Sequence, residues 1–183
     1  MKIKVLGLRK IEKEGSRLLG VAQIEINNTL VVEDIRIIDG PSGIFIAMPA
    51  KKVNDTYIDI AHPTVIEGRE EIQTAILKAY KEDIFESGWL TPMEITDMKM
   101  NIIPNEKGLV AVVALLLNDN FAIKDIQVVK DIKENGDISY RFFFPARDDG
   151  NGVMRNIFYT IDREFTNKMF GKILDEYKKR TNQ

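Results

Sequence analysis

The sequence predicts an α+β protein made of two similar units, each an antiparallel β-sheet followed by a helix, packed as an intramolecular pseudo-dimer. Three observations predict this fold. A set of segments recurs in the same order in both halves, each half contains segments that alternate apolar and polar residues, and each half ends on a helical stripe of apolar residues. We divide the chain into a first unit at 1–82, a linker at 83–92 and a second unit at 93–183.

The repeat rests on pairs of segments that keep their order along the chain. The matching segments are Asn28–Ile38 with Asp119–Val129, Phe45–Lys51 with Arg141–Arg147, and Ile76–Tyr80 with Ile173–Tyr177. The strictest shared feature is an Asp-Ile pair, which begins at Asp34 in the first copy and at Asp125 in the second. Such ordered matches indicate an internal duplication.

The early part of the first unit has the pattern of β-strands. Alternation of apolar and polar residues predicts strands over Ile3–Arg9 and Leu18–Ile26. Asn27-Asn28 then supplies residues that tolerate positive φ, so we expect a tight hairpin into Leu30–Ile38. The run Ile44–Met48 is apolar throughout, which predicts a strand buried on both faces.

Each unit then ends in a helix. Apolar residues recur at helical spacing within Glu70–Lys81, which predicts a helix there. The second copy predicts its own helix, for which Asp162 or Thr160 is a suitable N-cap. The residues on its apolar face are Phe165, Met169, Ile173 and Tyr177.

The linker contains residues that interrupt regular structure. Gly88 and Pro92 both disfavour a continuous helix or strand. Phe85 and Trp89 are large aromatic residues that favour burial, so we expect the linker to pack onto one or both units.

The duplication itself has a physical rationale at the sheet edges. An edge strand presents unpaired N–H and C=O groups, and two copies in one chain can satisfy each other's edges. We therefore expect a monomer of 20.9 kDa in dilute solution, although a dimer of such pseudo-dimers could form through other surfaces.

Composition excludes several classes of protein. The chain has no cysteine and one histidine, which excludes disulfide frameworks, thiolate zinc sites and sites that need two imidazoles. The N-terminus lacks the pattern of a signal peptide and the longest apolar run, Leu109–Leu117, is too short to span a membrane, so we expect a cytoplasmic protein. The net charge of −2 provides no long-range attraction for nucleic acids, so such binding would need a local basic patch.

Three segments of the first unit resemble the SpoVG family of septation regulators, named after stage V sporulation protein G. These segments are Val32–Gly40, Gly43–Lys52 and Asp59–Pro63, and they stand in the order and near the spacing of the family's signature. The resemblance implies a non-enzymatic regulator that binds DNA or RNA, built in its relatives from single units that form homodimers.

The second copy resembles the same family less closely. It keeps Asp125-Ile126 and Pro145-Ala146-Arg147. It departs at Lys130-Asp131, where the family has Asp-Gly, and at Ile157-Phe158-Tyr159, where it has Ile-Ala-His. The chain is thus similar to a tandem SpoVG protein with a divergent second half.

Four cationic residues are the candidates for nucleic-acid contact. Lys51 and Lys52 follow a strand and a proline, and the resemblance implies nucleic-acid contact at this basic pair. Arg147 is the counterpart of Lys51, but Asp148 replaces the second cation. Arg36 is predicted to lie on the solvent face of its strand. The alternatives are a solvated lysine pair and a surface ion pair of Arg36 with Glu33 or Asp34.

Other polar and aromatic residues are expected to have structural roles. Asp34 and Asp125 lack the partners of a catalytic or magnesium site, so capping of turn N–H groups or pairing with an arginine fits them better. His62, before Pro63, is read as a structural histidine. In Phe142–Phe144 we expect one ring to face outward, with base stacking as the alternative. We predict no metal site and no cofactor.

The sequence therefore supports two functions. The leading hypothesis is a non-enzymatic regulator that binds DNA or RNA weakly and in a salt-sensitive way through a local basic patch. The alternative is a protein-interaction module that kept the fold and lost nucleic-acid binding. An enzyme is the least supported class.

Overall fold

The computed structural model describes residues 1–182 of the 183-residue chain. The first unit and the linker contain β1 (Ile3–Lys10), β2 (Leu18–Ile26), β3 (Leu30–Gly40), β4 (Gly43–Ala47), β5 (Ala50–Val53), β6 (Thr56–Asp59), β7 (Ala61–Pro63), α1 (Ile66–Glu82) and β8 (Glu86–Ser87). The second unit contains β9 (Ile95–Ile102), β10 (Gly108–Leu117), β11 (Phe121–Ile132), β12 (Ile138–Phe143), β13 (Ala146–Asp148), β14 (Met154–Asn156), β15 (Phe158–Thr160) and α2 (Arg163–Thr181). The predicted α+β class and the repetition of sheet and helix are confirmed.

Antiparallel pairing organises the strands into two main sheets. One has the order β15-β3-β2-β1-β8 with β4 also paired to β3, and the other has the order β12-β11-β10-β9 with β7 also paired to β11. The hairpins β5–β6 and β13–β14 form separate short ribbons. Along the sequence, each ribbon follows the last of its unit's consecutive main-sheet strands, β4 or β12, and precedes the strand that leads to the helix, β7 or β15.

The two units exchange strands. β7 of the first unit pairs with β11 of the second, with His62 opposite Ala122. β15 of the second unit pairs with β3 of the first, with Tyr159 opposite Val31. Each main sheet is thus completed by a strand from the other unit, which is the pseudo-twofold arrangement that the duplication suggests.

The hydrophobic core follows from this exchange. In the described part of the chain, buried side chains of both units form one continuous apolar cluster. It includes Ile35 and Ile76 from the first unit and Ile126, Phe158 and Met169 from the second. Because both units contribute to this cluster, neither unit alone contains all of the contacts that stabilise its fold. Burial of one side chain of this size contributes roughly 1.5–3 kcal/mol.

Local sequence explains the hairpins at equivalent places in the two units. Asn27 and Asn28 both have positive φ, at 51° and 53°, and join β2 to β3 as predicted. Asn118 and Asp119, at 49° and 57°, join β10 to β11 in the same way. Asn and Asp are the non-glycine residues that best tolerate this conformation, which explains their use at both turns.

The helices agree with the predicted stripes. α1 begins at Ile66, about one turn before the predicted start, and buries Ile72, Ala75, Ile76 and Ala79. α2 buries the four predicted residues of its apolar face. Of the two predicted N-caps, Asp162 is confirmed, because its Oδ1 accepts a hydrogen bond from Phe165 N at 3.0 Å.

Two predictions of burial are wrong. Phe45 in β4 is 41% exposed, because β4 pairs with β3 at the border of its sheet and its outer face meets solvent. In the linker, Trp89 is 88% and Phe85 is 44% exposed, although the linker does associate with the first unit through its backbone. Among Phe142–Phe144, in contrast, the outward-facing ring is Phe143, while Phe142 stacks on Phe170 and Phe144 contacts Phe158.

No helix within residues 1–182 combines the length and apolar character needed to cross a membrane.

The linker is attached to the sheet as a short edge strand. β8 pairs with β1, and Phe85 O accepts a hydrogen bond from Val5 N at 2.7 Å. Gly88 follows with φ at 79°, and a Cβ at this position would lie 2.1 Å from Met1 O. A side chain is therefore excluded here both by the backbone conformation and by the proximity of the N-terminal residue.

We expect Gly88→Ala to lower the free energy of unfolding by about 1–3 kcal/mol, because it adds a steric clash to the strain of positive φ. Gly108→Ala is the matched control, since Gly108 also has positive φ, at 84°, but a Cβ there would meet nothing within 4 Å. The control should lose about 1 kcal/mol. Urea unfolding measures both values, and equal losses would show that contact with Met1 is unimportant.

Candidate functional site

A cleft of about 980 Å³ lies where the two units meet. It is lined by β3, β4 and the β5–β6 ribbon of the first unit, and by β11 and β13 of the second. Its charged lining residues are Asp34, Arg36, Lys51, Lys52, Asp59, Arg69, Asp125 and Arg147. The four predicted contact residues, from distant parts of the sequence, thus line a common surface.

The two aspartates of the repeat occupy equivalent β-bulges. The register of β2 with β3 shifts between Ala22 and Ile24, and that of β10 with β11 shifts between Val113 and Leu115. Asp34 and Asp125 lie on the bulged strands with φ at 56° and 65°. Aspartate tolerates this conformation better than most residues, and the bulge directs its carboxylate into the cleft.

Each of these aspartates pairs with a cation from the other unit. The Lys51 Nζ donates to Asp125 Oδ2, and the Arg147 Nη1 donates to Asp34 Oδ2. Arg147 also donates from Nη2 to Ala50 O at 2.6 Å. Because Lys51 and Arg147 are equivalent in the repeat, the two ion pairs are related by the pseudo-twofold arrangement. Pairing with an arginine, one of the two structural roles predicted for the aspartates, is confirmed for Asp34, whereas Asp125 pairs with a lysine.

The other two predicted cations are more accessible. Arg36 is half exposed, and its Nη2 lies 3.6 Å from Asp34 Oδ2, so it shares that carboxylate with Arg147. Lys52 is 58% exposed and lies 3.9 Å from the fully exposed Asp55. Such loose surface pairs contribute little energy, and an incoming anion can replace the carboxylate.

Sequence reasoning missed three lining residues. Arg69 is an exposed cation in the first turn of α1, and Phe45 and Tyr57 are exposed aromatic residues that line the same cleft. Tyr57 is 69% exposed and stands opposite Lys52 in the β5–β6 ribbon. The sequence contained a signal for this exposure. The turn residues Asn54-Asp55 precede Tyr57 and predict a hairpin tip there rather than a core strand.

The cleft has a different charge from the chain as a whole. Its described lining contains five cationic and three anionic side chains, whereas the whole chain has a net charge of −2. Two of the cations are held by Asp34 and Asp125, which leaves Arg36, Lys52 and Arg69 as the most available. The geometry therefore provides the local basic patch that the overall composition did not.

The exchanged strands carry His62 and Tyr159 at equivalent positions, outside the lining of the cleft. His62 of β7 lies with Nε2 at 3.4 Å from Lys124 Nζ, and its Nδ1 is buried without a hydrogen-bond partner among residues 1–182. Burial, the positive charge of Lys124 and, more weakly, Arg69 lower the pKa of His62, while Asp59 opposes them. Its counterpart Tyr159 has its pKa raised by burial and by the negative charge of Glu33.

Within the described residues, no group of three or more His, Asp or Glu side chains is placed to hold a metal ion. Two of the three cleft carboxylates, those of Asp34 and Asp125, are paired with Lys51, Arg147 and Arg36. The arrangement is suited to binding an extended anion by charge rather than to holding a cation.

Comparison with known proteins agrees with the repeat. The family model described as SpoVG matches residues 1–82 and, a second time, residues 93–179. The chain belongs to the SpoVG family. The two matched segments correspond to the two sheet-and-helix units, which supports a tandem arrangement of SpoVG units.

Individual SpoVG relatives match about half of the chain. The septation protein SpoVG of Clostridium beijerinckii is 46% identical over 87 residues, which are 47% of this chain and 94% of the relative. That of Agathobacter rectalis is 48% identical over 85 residues, or 46% of this chain and 97% of the relative. That of Phytoplasma australiense is 49% identical over 83 residues, or 45% and 85%. These relatives therefore have about the length of one unit.

His62 predicts a pH dependence of stability. Because the pKa of His62 is lowered in the folded state, the folded protein favours the neutral ring over the charged one. The contribution of this preference to the free energy of unfolding is fully present at pH values above the ordinary histidine pKa. It is lost as the pH falls through that value and toward the folded pKa. We expect the free energy of unfolding to fall more steeply between about pH 7.5 and pH 5.5 in the parent protein than in His62→Gln.

Chemical denaturation at several pH values measures the two slopes. Asp59, Lys124 and Arg69 are unchanged in the variant, so the difference between the slopes isolates the imidazole. Identical slopes would contradict the assigned pKa direction.

Proposed function

We propose that this SpoVG protein is a non-enzymatic regulator that binds DNA or RNA in the cleft between its two units. The observation that carries the proposal is the excess of cations in this cleft, to which both units contribute. Family membership supports a role connected with septation, for which the relatives are named. The acidic balance of the whole chain predicts weak, salt-sensitive binding.

Arg36, Lys52 and Arg69 are the principal phosphate contacts in this proposal. They come from β3, β5 and α1, so they lie around the cleft rather than along one element. Lys51 and Arg147 can contribute when a phosphate displaces the carboxylate that holds them. Arg147 should do so less readily, because Ala50 O also holds its guanidinium.

The aromatic side chains favour a single strand over a duplex. Phe45 and Tyr57 offer exposed rings among the cations, and a base that is free of pairing can stack on such a ring. A duplex keeps its bases stacked on each other and would contact the cations alone. We therefore propose single-stranded DNA or RNA as the preferred ligand.

The alternative function is a protein-interaction module. It is favoured by the linker, where Trp89 and Leu90 are 88% and 58% exposed and Ile84 and Phe85 are also exposed. An exposed apolar segment of this kind is typical of a contact surface for another protein. If labelled oligonucleotides fail to bind even at low salt, nucleic-acid binding is refuted and this second function takes its place.

The basic pair can be tested by salt dependence. We expect Lys51→Ala combined with Lys52→Ala to weaken binding to all sequences and to reduce the slope of log K against log salt by about 1–2 units. Loss of Lys52 should reduce the slope by about 1. Loss of Lys51 should reduce it further only to the extent that Lys51 leaves Asp125 to contact a phosphate. Arg147→Ala should change the slope less, because Asp34 and Ala50 both hold the guanidinium.

Fluorescence anisotropy with labelled oligonucleotides at several salt concentrations measures these slopes. A variant that lacks Lys107 and Lys133, two exposed lysines in turns outside the cleft lining, controls for the loss of two charges. If this control weakens binding as much as the loss of Lys51 and Lys52, the cleft is not the binding site.

Base stacking is tested separately at Tyr57. Tyr57→Ala should weaken binding of a single strand by about 5- to 150-fold, because stacking on an aromatic ring contributes roughly 1–3 kcal/mol per base. Tyr57→Phe is the matched control and should retain the affinity. The salt slope should be unchanged in both variants. A loss of affinity in Tyr57→Phe equal to that in Tyr57→Ala would exclude stacking as the cause.

A further inference from the structure

The two units differ in how their outermost strand edges are covered. β1 is the outer strand of the first sheet, and β8 of the linker pairs with it. β9 is its counterpart in the second sheet, and among residues 1–182 no strand pairs with its outer edge. An uncovered strand of eight residues offers a row of backbone groups for pairing with another chain.

The backbone groups that point outward from β9 can be identified. Ile103 N donates to Val110 O of β10 at 2.8 Å, and β9 has a regular register from Ile102 back to Asp97. Alternation along an antiparallel strand therefore directs the N–H and C=O groups of Met98, Met100 and Ile102 away from β10. Val5 is the equivalent of Met98 in β1, and its N–H is bonded to the linker at Phe85 O.

Side chains satisfy part of this edge in the single chain. Met98 N donates to Asp97 Oδ1 at 2.8 Å, and Arg180 Nη1 donates to Met100 O at 3.3 Å. Both are contacts of exposed side chains, which another strand can displace. A groove of about 390 Å³, lined in part by Lys172 and Glu176 of α2, runs beside the same strand.

We propose that β9 pairs with β9 of a second copy of this chain, antiparallel about a twofold axis through Met98. In this register Met98 faces its own symmetry mate, and Asp97 of each copy faces Lys99 of the other. Both side chains are exposed on the same face of the strand. Opposite charges that face each other directly stabilise an antiparallel pair, so the strand is complementary to itself.

Charge also selects this register over the adjacent one. A shift of the axis to Lys99 would place the two Lys99 side chains opposite each other, which is unfavourable. Because Asp97 and Arg180 must first release their bonds to the edge, the association should be weak and depend on concentration. The chain is then a monomer in dilute solution, as expected from the duplication, and a dimer at higher concentration.

A charge swap provides the test. Sedimentation velocity from about 5 to 500 µM should show the parent protein rising from 20.9 kDa toward twice that mass. Asp97→Lys and Lys99→Asp should each weaken the association about tenfold or more, because each replaces two attractive pairs with two repulsive ones. The double variant, which carries both changes, restores opposite charges and should regain the dimer. Lys133→Asp is the control for a charge reversal in an exposed turn.

A second measurement does not depend on substitution. Hydrogen exchange of the Met100 amide should slow as the concentration of the parent protein rises, because this outward N–H gains a partner. The proposal is overturned if the parent protein stays at 20.9 kDa throughout. It is also overturned if a dimer forms but neither single charge reversal weakens it, since the dimer would then use another surface.

Discussion

The reciprocal exchange of β7 and β15 is the constraint on which the rest of the structure depends. Each strand leaves its own unit and completes the sheet of the other, next to β11 and β3. The two helices follow directly after these strands, so the exchange also sets where each helix packs. The continuous core, the cleft and the cross-unit ion pairs are all consequences of this arrangement.

Electrostatics in the cleft follow from the two β-bulges. A bulge at the same point of β3 and β11 requires a residue that accepts positive φ, and aspartate satisfies this requirement while supplying a carboxylate. The carboxylates hold Lys51 and Arg147 from opposite units and so join the units as well as reduce the local charge. The same two residues therefore contribute both to the contact between the units and to the charge of the cleft.

Much of the fold could be predicted because its signals are local. The Asn27-Asn28 turn, the apolar faces of both helices and the cap at Asp162 each depend on residues close in sequence. The exposure of Phe45 and Trp89 could not be predicted, because it depends on which strand lies at a border and on what the linker contacts. Likewise, the residue type of Lys51 suggested an anion contact, but its pairing with Asp125 depends on the register between units.

Covalent connection through the strand β8 has a consequence for how the two halves can differ. In a homodimer every substitution appears twice, and the two ends of a central cleft remain identical. Here His62 faces Lys124 in one exchange while Tyr159 lies near Gln23 and Glu33 in the other, and Lys52 has Asp148 as its counterpart. The two halves of the cleft therefore differ, with Lys51-Lys52 on one side and Arg147-Asp148 on the other. A strand bound as proposed above would meet these cations in a fixed order, and its two directions would differ in binding energy.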